Sequence, residues 1–355
     1  MGHKVLAINP GSTSTKVAVY EERTPVVELN LSHPLEEVAR FHCAIDQLEW
    51  RREIILDALQ KAGFDIHTLD AVIGRGGLVH PIPGGVYEVN EKMCEDLRHA
   101  QKKHVCNIGA MLAEEIASGI GVKAYIADPP VVDEMTDEAH FTGLPECRRR
   151  SIFHALNHRA TARLHCEKLG VRYEDQDLIV VHMGGGISVA AHAHGQIVDV
   201  NNALDGDGPF SPDRAGSIPS SELIRVCYSG KYTQAEMIKR VSAHGGLVAY
   251  TGTNSVQELV GRIDRGDELA ARTLRAMCYT ISKQICATAV ATSGHIDAIV
   301  LTGGIAHCGR VVDYIRSRCG FLAPIYVYPG ENELRSLALN AMLVLNGELE
   351  AKIYE

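Results

Sequence analysis

The chain has 355 residues, of which 46% are hydrophobic, and a formal net charge of −9. This length exceeds the size at which a single hydrophobic core usually stops growing, so we expect two domains. A negative chain is poorly suited to a nucleic acid backbone or an anionic membrane surface, since both need clustered Lys and Arg. We therefore expect small-molecule partners, with no nucleic acid and no membrane.

The sequence contains no pattern typical of a signal peptide or of a disulfide framework. No apolar run reaches the roughly 18 residues of a membrane-spanning helix, and residues 9–11 interrupt the apolar start before a signal-peptide pattern develops. The ten cysteines include no Cys-x-x-Cys pair, which favours buried, reduced thiols over disulfides or a zinc ribbon. These patterns predict a cytoplasmic protein.

The N-terminal segment predicts a β-hairpin around a polar turn. Strands are expected over 4–8, 16–20 and 26–31, with the turn at 9–14. Residues 9–16 read NPGSTSTK, so they combine one glycine, four hydroxyl side chains and an ammonium group. Backbone N–H groups and hydroxyls in such a turn can hold phosphate oxygens. A polar hairpin turn with a solvated Lys16 explains the same residues.

Helices and strands alternate through the rest of the first half. We expect helices over 47–62, 91–98 and 107–118. One strand ends at the glycine-rich run of residues 73–77, and a second, over 123–127, ends at Asp128 and two prolines. Glycines allow the backbone to run close to a ligand, and a charged residue at a strand end favours a site.

The second half begins as the first does. A helix over 154–169 precedes a strand over 177–182, which runs into the segment HMGGGIS at 182–188. The strand, glycine turn and strand at 5–19 thus recur at 178–191, which predicts two similar α/β domains that arose by duplication. A triple glycine at a strand end has few structural explanations and favours a second phosphate turn.

Further elements are expected towards the C-terminus. Helices are predicted over 220–228, 233–242, 255–265 and 267 to about 292, the last with one apolar face that suits a core or a dimer surface. A strand over 298–301 leads into a glycine corner, TGGI at 302–305, and then a helix. Asn332 is predicted to cap the final helix.

The two commonest nucleotide-binding fingerprints are absent, because the sequence contains neither a Walker A motif nor a complete Gly-x-Gly-x-x-Gly. His154 and His158 have the spacing of two zinc ligands, but no Glu follows His154 and no third ligand is evident. Zinc is therefore disfavoured, and a buried structural histidine remains the ordinary alternative.

Taken together, the motifs resemble the acetate and butyrate kinase family. The N-terminal turn, Phe153-His154, the segment at 182–186, Arg214 before Ala-Gly and the corner at 302–305 occur in the family's order, over nearly the whole chain. The segment GRGGL at 74–78 replaces the His-Arg-x-x-His-Gly-Gly stretch of acetate kinases, and the tail PGENEL at 329–334 looks like the butyrate branch.

The resemblance implies an α/β fold of two duplicated ribonuclease-H-like domains with an interdomain active-site cleft. The expected domains are 1–148 with 329–355, and 149–328. It also implies a homodimer or higher homo-oligomer. The implied reaction moves the γ-phosphoryl group of ATP to a short fatty acid, with Mg²⁺ as cofactor, and gives an acyl phosphate and ADP.

The resemblance also assigns roles to residues. It implies catalytic roles for Arg75, Asp128, His154 and Arg214. The implied nucleotide-binding residues are Asn9, Ser12, Ser14, Lys16, His182, Gly184, Gly185, Gly186, Gly303, Gly304 and Ile305. Asn9 and Glu333 are the implied metal residues, with Glu331 as the alternative carboxylate. For Asp205 and Asp207 a surface turn is favoured.

The sequence is also compatible with other acceptor acids and with one other class of protein. Acetate, propionate or a branched-chain acid can replace butyrate as acceptor, because sequence does not give the volume of the pocket near Leu78, Val79 and Ile82. A nucleotide switch of the chaperone or actin type can use the same two phosphate turns. The absence of a further peptide-binding domain after residue 355 disfavours that alternative.

Overall fold

The structure is a computed structural model that describes residues 2–100, 102 and 104–355. The backbone separates into two compact units, Met1–Val132 with Asn332–Glu355, and Asp133–Glu331. The domain boundaries expected from the sequence, at 148/149 and 328/329, stay a prediction. In the described part of the chain, no helix combines the length and hydrophobicity that crossing a bilayer requires.

The described residues of the first unit form a seven-stranded sheet. Its strands are β1 (Lys4–Pro10), β2 (Ser14–Glu21), β3 (Thr24–Ser32), β4 (Ala71–Arg75), β5 (Val86–Glu88), β6 (Lys123–Ala127) and β12 (Lys352–Ile353). Their spatial order is β12-β5-β6-β4-β1-β2-β3. The three N-terminal strands are antiparallel, whereas β4 and β6 run parallel to β1. The carboxyl ends of β1, β4 and β6 therefore meet at one edge.

Helices cover this sheet. They are α1 (Leu35–Val38), α2 (Leu48–Lys61), α3 (Glu91–His99), α4 (Ile108–Ile120) and α12 (Glu333–Leu345). The helix α4 lies very close to β4. A Cβ added to Gly74 would lie only 2.0 Å from the backbone oxygen of Gly109. Only glycine at both positions permits this contact, which places the end of β4 directly on the start of α4.

The second unit has a five-stranded sheet over the residues described for it. Its strands are β7 (Leu178–Met183), β8 (Ile187–Ala193), β9 (Gln196–Val200), β10 (Ala298–Gly303) and β11 (Ile325–Pro329), in the order β11-β10-β7-β8-β9. Its helices are α5 (Ala155–Leu169), α6 (Ser220–Cys227), α7 (Gln234–Ser242), α8 (Gly246–Thr251), α9 (Val256–Asp264), α10 (Glu268–Thr288) and α11 (Gly309–Cys319).

The two sheets share one topology, and the predicted duplication is confirmed. Reading β3-β2-β1-β4-β6 in the first unit and β9-β8-β7-β10-β11 in the second gives the same series, three antiparallel strands followed by two parallel ones. The first unit adds β5 and β12 beyond β6. This repeated order is that of two ribonuclease-H-like folds.

Several predicted elements needed correction. The first turn is shorter than expected, because β1 continues through Pro10 and β2 begins at Ser14. The long helix α10 ends at Thr288, and a 3₁₀ turn (Ala289–Thr292) follows. A second 3₁₀ turn (Gly304–His307) separates β10 from α11. The strands β5 and β12, with three and two residues, are too short to have produced a pattern, and the edge strand β9 was not predicted.

The apolar face of α10 packs mainly in the core. Leu274, Met277, Ile281 and Ile285 are buried, together with residues of β7, β8 and β10, in one hydrophobic cluster of the second unit. Leu269, which the periodicity placed on the same face, is 43% exposed because it lies in the first turn of the helix. Core burial therefore accounts for most of this face.

Candidate active site

Three of the predicted site residues form one cluster in the first unit. Asn9 lies near the end of β1, Arg75 is the last residue of β4, and Glu333 is the first residue of α12. Arg75 Nη1 lies 2.6 Å from Glu333 Oε1, and 3.4 Å from Asn9 Oδ1. The amide nitrogen of Asn9 also donates to Glu333. Strand ends and a helix N-terminus thus place amide, guanidinium and carboxylate side by side.

Asp128 follows the end of β6 in the same unit. It is buried and has a positive φ of 38°, a conformation that is uncommon for residues other than glycine. Its Oδ1 accepts a 2.8 Å hydrogen bond from the backbone N–H of Gly85, and its own N–H donates to the Gly85 carbonyl at 3.0 Å. These two bonds hold the strained backbone and fix the carboxylate, which is typical of a functional position.

A buried arginine supports the first glycine turn. Arg51 on α2 is fully buried, and its Nη1 donates to the carbonyls of Gly11, at 2.9 Å, and Ser14, at 3.2 Å. The same nitrogen bonds Thr15 Oγ1 at 3.0 Å, and Gln47 accepts from Nε at 3.0 Å. No ion pair to Arg51 is found in the described part of the chain, so burial lowers its pKa to about 10.

This contact has an electrostatic consequence for the turn. The Arg51 guanidinium donates hydrogen bonds to the carbonyl oxygens of Gly11 and Ser14, and these bonds engage lone pairs of both oxygens. A buried cation without an anionic partner also raises the local potential. Both effects favour an anion at the turn, where the predicted residues Ser12 and Lys16 are exposed.

The second glycine turn lies between β7 and β8 and consists of residues 184–186. A Cβ on Gly186 would lie 1.7 Å from Arg214 Nη1, so only glycine admits the guanidinium at this point. The same nitrogen donates to the carbonyl of Ala203. Ser211 Oγ donates to the Gly185 carbonyl at 2.6 Å and accepts from the Arg214 N–H at 3.1 Å. The turn and Arg214 are therefore one packed assembly.

Arg214 keeps an unused donor at this assembly. Its Nε is buried and has no hydrogen-bond partner in the residues that the structure describes. Burial lowers the pKa of Arg214, whereas the neighbouring Asp213 and Asp205 raise it. Buried donors are almost always bonded in native proteins, so an unbonded guanidinium N–H favours a site for an anion.

The imidazole rings of His154 and His182 stack beside this turn. Their centroids are 3.8 Å apart and their planes differ by 14°. His182, on β7, bonds Asn157 Oδ1 through Nδ1 at 2.9 Å, and His154, which caps α5, bonds Ser188 Oγ through Nδ1 at 2.9 Å. Two residues expected to contact phosphate thus lie together.

The glycine corner after β10 contacts the same turn. Gly303 has a φ of 86°, and a Cβ there would lie 2.4 Å from the backbone oxygen of Met183. Ile305 is buried next to it, and Gly304 is exposed. Glu331 lies in this unit, with 3.8 Å between its Oε2 and His182 Nε2. The two candidate metal carboxylates therefore have different surroundings, since Glu333 contacts Asn9 and Arg75 instead.

The loop at 205–207 has a structural explanation. Asp207 Oδ2 accepts from the Asn202 N–H at 3.1 Å, and Asp205 Oδ2 accepts from Asn202 Nδ2 at 3.2 Å. Asn202 Oδ1 in turn accepts from the Asp205 N–H at 3.0 Å. These are the local bonds of an Asx-type turn, as the sequence favoured.

The donor set of the first cluster fits Mg²⁺. A carboxylate and an amide oxygen are hard oxygen ligands, and Mg²⁺ in phosphoryl-transfer sites usually keeps waters and phosphates as its other ligands. Among the described residues, no group of three or more His, Cys, Asp or Glu side chains is arranged so that it could hold a metal ion. Asn9 and Glu333 are therefore candidate metal ligands that supply two oxygen atoms, and further ligands would have to complete the coordination.

Sequence reasoning missed several residues that shape the site. Arg51, Asn157 and His192 were not singled out, Ser188 was quoted only as the end of the segment at 182–188, and His158 was considered as a motif residue, a zinc ligand or a buried structural histidine. A signal existed for two of them, because Ser188 and His192 are polar residues at even spacing on a strand that is otherwise apolar and fully buried. Such alternation marks one face of a strand as polar.

Known proteins resemble this chain over its whole length. The Acetokinase family matches residues 142–319. The chain is 49% identical over 353 residues to a probable butyrate kinase of Bacteroides thetaiotaomicron, covering 99% of this chain and 100% of that protein. It is 48% identical over 356 residues to butyrate kinase 2 of Clostridium acetobutylicum, with 100% of both chains covered.

A solved structure supports the fold. The acetate kinase of Porphyromonas gingivalis superimposes with a TM-score of 0.79 at 19% identity, covering 97% of this chain and 100% of that one. The fold is thus the duplicated α/β fold of that enzyme, as predicted. The chain belongs to the acetokinase family, and the resemblance drawn from its motifs is confirmed.

Proposed function

We propose that this chain transfers the γ-phosphoryl group of ATP to the carboxylate of butyrate or a closely related short-chain fatty acid, reversibly, giving an acyl phosphate and ADP. Full-length relatives at 49% and 48% identity carry the name butyrate kinase. The observation that carries the proposal is the cluster of Asn9, Arg75 and Glu333, because it offers a guanidinium for a carboxylate beside oxygen ligands for a metal.

In the first unit, Arg75 binds the substrate carboxylate, for which a guanidinium is well matched. Its ion pair with Glu333 holds both side chains in place before substrates bind. Asp128, fixed by the Gly85 N–H, is a further catalytic residue. The turn with Ser12, Ser14 and Lys16 contributes to binding of the nucleotide phosphates.

In the second unit, Arg214 neutralises charge on the transferring phosphoryl group, and its buried Nε supplies a free donor. His154 donates a hydrogen bond to an equatorial phosphoryl oxygen. The turn at 182–186 binds phosphate through backbone N–H groups. Gly303, Gly304 and Ile305 contact the adenosine.

The chemistry needs little from the protein beyond alignment and charge. The fatty acid is already ionised at neutral pH, so its oxygen attacks the γ-phosphorus directly and no general base takes a proton. The new O–P bond forms as the bond between the γ-phosphorus and the β,γ-bridging oxygen breaks, and ADP leaves with that oxygen. Positive groups around the equatorial oxygens stabilise the transition state.

We propose that Asn9 and Glu333 hold the metal ion. When bound, Mg²⁺ neutralises charge on the nucleotide phosphates. A cytoplasmic location, where ATP is available, and a homodimer or higher assembly complete the proposal.

Acyl phosphate formation tests the proposal directly. Hydroxylamine converts an acyl phosphate into a hydroxamate, so the purified chain with Mg-ATP should yield hydroxamate from butyrate. Acetate, propionate and isobutyrate at equal concentration establish the acceptor preference. A nucleotide switch would release inorganic phosphate alone, and that result would contradict the proposed activity.

A further inference from the structure

Five side chains of the second unit form a continuous series of hydrogen bonds that ends at His154. Tyr173 OH lies 2.8 Å from His192 Nδ1, and His192 Nε2 lies 3.4 Å from His158 Nδ1. His158 Nε2 then lies 2.8 Å from Ser188 Oγ, which lies 2.9 Å from His154 Nδ1. The series joins a 3₁₀ turn, one face of β8 and the helix α5, and it reaches one ring nitrogen of a predicted catalytic residue.

The middle of this series is neutral. His158, Ser188 and His192 are completely buried, and Tyr173 is nearly so. Burial, with the nearby Arg159 guanidinium, lowers the pKa of His192 to about 3. Burial also lowers the pKa of His158 well below its usual range. At neutral pH each of these imidazoles therefore carries one proton, and it donates through one nitrogen and accepts through the other.

Donation that runs continuously through every group of the series has two senses. A serine hydroxyl can also accept twice, so Ser188 transmits the sense only when its own proton goes to one of the two rings. If Tyr173 donates to His192, each following group donates to the next, and His154 Nδ1 accepts from Ser188. The proton of a neutral His154 is then on Nε2. In the opposite sense, Nδ1 of His154 donates to Ser188, and its Nε2 presents a lone pair. Phosphoryl oxygens only accept hydrogen bonds, so the first sense alone provides a donor for them.

We propose that Tyr173, His192, His158 and Ser188 are positioning residues that hold His154 as the Nε2–H tautomer, ready to donate to a phosphoryl oxygen. This inference rests on the proposed function, because it takes the phosphoryl group as the acceptor. Buried hydrogen-bond series of this kind fix a tautomer without contacting the substrate.

The stacked ring of His182 fixes the orientation that the tautomer needs. Its Nδ1 faces Asn157 Oδ1, an atom that only accepts, so Nδ1 carries a proton. The two rings stack closely and nearly in parallel. The His182 ring therefore restricts rotation of the His154 ring, whose Nδ1 is bonded to Ser188.

The tautomer can be measured without activity. Long-range ¹H–¹⁵N spectra of protein labelled at its histidines distinguish protonation at Nδ1 from protonation at Nε2, and a His154→Gln variant assigns the His154 signals. We expect Nε2–H alone in the full-length wild-type chain near pH 7.5. A proton on Nδ1, whether alone or together with one on Nε2, would overturn the inference.

Two substitutions test the series at its ends. Ser188→Ala removes the donor to His154, and Tyr173→Phe removes one oxygen atom at the far end. For each we expect mixed tautomers of His154 and a fall in kcat of about tenfold, with little change in KM for ATP. Ser188→Thr keeps a hydroxyl and should restore the single tautomer. If Ser188→Ala does not fold, Tyr173→Phe and the wild-type spectrum still decide.

Tyr328→Phe is the matched control. Tyr328 OH bonds the Nδ1 of another buried histidine, His165, at 3.0 Å, and neither residue belongs to the series. We expect this variant to keep the wild-type His154 tautomer and kcat. Equal effects of Tyr173→Phe and Tyr328→Phe, or no effect of Tyr173→Phe on the tautomer, would contradict the inference. Absence of hydroxamate from any acid would instead contradict the proposed function, since the spectra do not depend on turnover.

Discussion

Arg75 and Glu333 form an ion pair with 2.6 Å between Nη1 and Oε1, although 258 residues separate them in the chain. The pair forms because the helix α12 packs on β1 and β4, so the last secondary-structure elements of the chain complete its first sheet. Asn9 contacts both partners. A residue from each end of the sequence thus shares one cluster with the end of β4.

Removal of Arg75 should act on the acid substrate. We expect Arg75→Ala to lower kcat/KM for butyrate by about a hundredfold, because the substrate carboxylate loses a charge-assisted hydrogen bond and Glu333 loses its partner. Steady-state hydroxamate kinetics measure this. Arg52→Ala is the control, since Arg52 on α2 is partly exposed and pairs with Glu115 on α4. Normal butyrate kinetics in Arg75→Ala would remove this residue from the site.

Glu333→Gln should act on the metal ion. The substitution keeps the shape of the side chain but removes a charged ligand, so we expect the Mg²⁺ concentration for half-maximal activity to rise about tenfold. Activity titrations with MgCl₂ at fixed ATP measure the shift. Glu331→Gln, which changes the carboxylate beside His182, serves as the comparison. A larger shift for Glu331→Gln would exchange the roles of the two carboxylates.

Arg214 should matter for turnover more than for folding. We expect Arg214→Ala to reduce kcat by about 10²- to 10³-fold, because a preorganised positive group at the phosphoryl oxygens is lost. Arg214→Ala also removes the hydrogen bond from Nη1 to the Ala203 carbonyl, so we expect a moderate loss in the free energy of unfolding, measured in urea, while the variant remains folded. The exposed Arg172 provides the control variant Arg172→Ala. Near-normal acyl phosphate formation by Arg214→Ala would refute the assignment.

Arg51 should matter for stability. Arg51→Met removes the guanidinium donor from the carbonyls of Gly11 and Ser14, the second of which still accepts from the Gly11 N–H, so we expect a loss of about 3 kcal/mol in the free energy of unfolding. Its neighbour in sequence, Arg52, is partly exposed and forms a surface ion pair, so Arg52→Met should cost below about 1 kcal/mol. Urea unfolding compares the two variants. Equal losses would show that the turn does not depend on the buried guanidinium.

The buried histidines predict a stability that falls in mild acid. The pKa of His192 is lowered to about 3 and that of His158 well below its usual range, so both stay neutral in the folded chain when the unfolded chain, with histidine pKa values near 6.5, takes up protons. The unfolded state then binds more protons, and stability decreases as pH falls below about 6.5.

The loss of stability in mild acid should be measurable for each of the two histidines, His158 and His192. Each of the two residues should remove about 1 kcal/mol of unfolding free energy between pH 7.5 and pH 5.5. Urea unfolding at both pH values measures the change. His192→Phe removes one titrating group from the unfolded chain, so the variant should show the smaller pH dependence. An identical pH dependence in wild type and variant would contradict the prediction.

Much of the architecture follows from local patterns. The strand over 123–127 was predicted with the bounds that β6 has, and the helix over 91–98 differs from α3 by one residue. The hairpins at 5–19 and 178–191 revealed the duplication. Such elements are predictable because apolar periodicity and glycine-containing turns act over a few residues. The short edge strand β12 was not predicted, because its pairing with β5, and not a pattern in its own residues, makes it a strand.

For the site, the sequence by itself determined which residue types were available: glycine turns between strands, two arginines before glycine or alanine, and histidines at the start of α5 and the end of β7. Only the tertiary structure decided which of them meet. It assigned Glu333 to Arg75 and Glu331 to His182, placed Arg51 beneath the first turn, and linked Tyr173 to His154. The physical reason is that sheet order and helix packing set distances between residues far apart in sequence, which no local pattern contains.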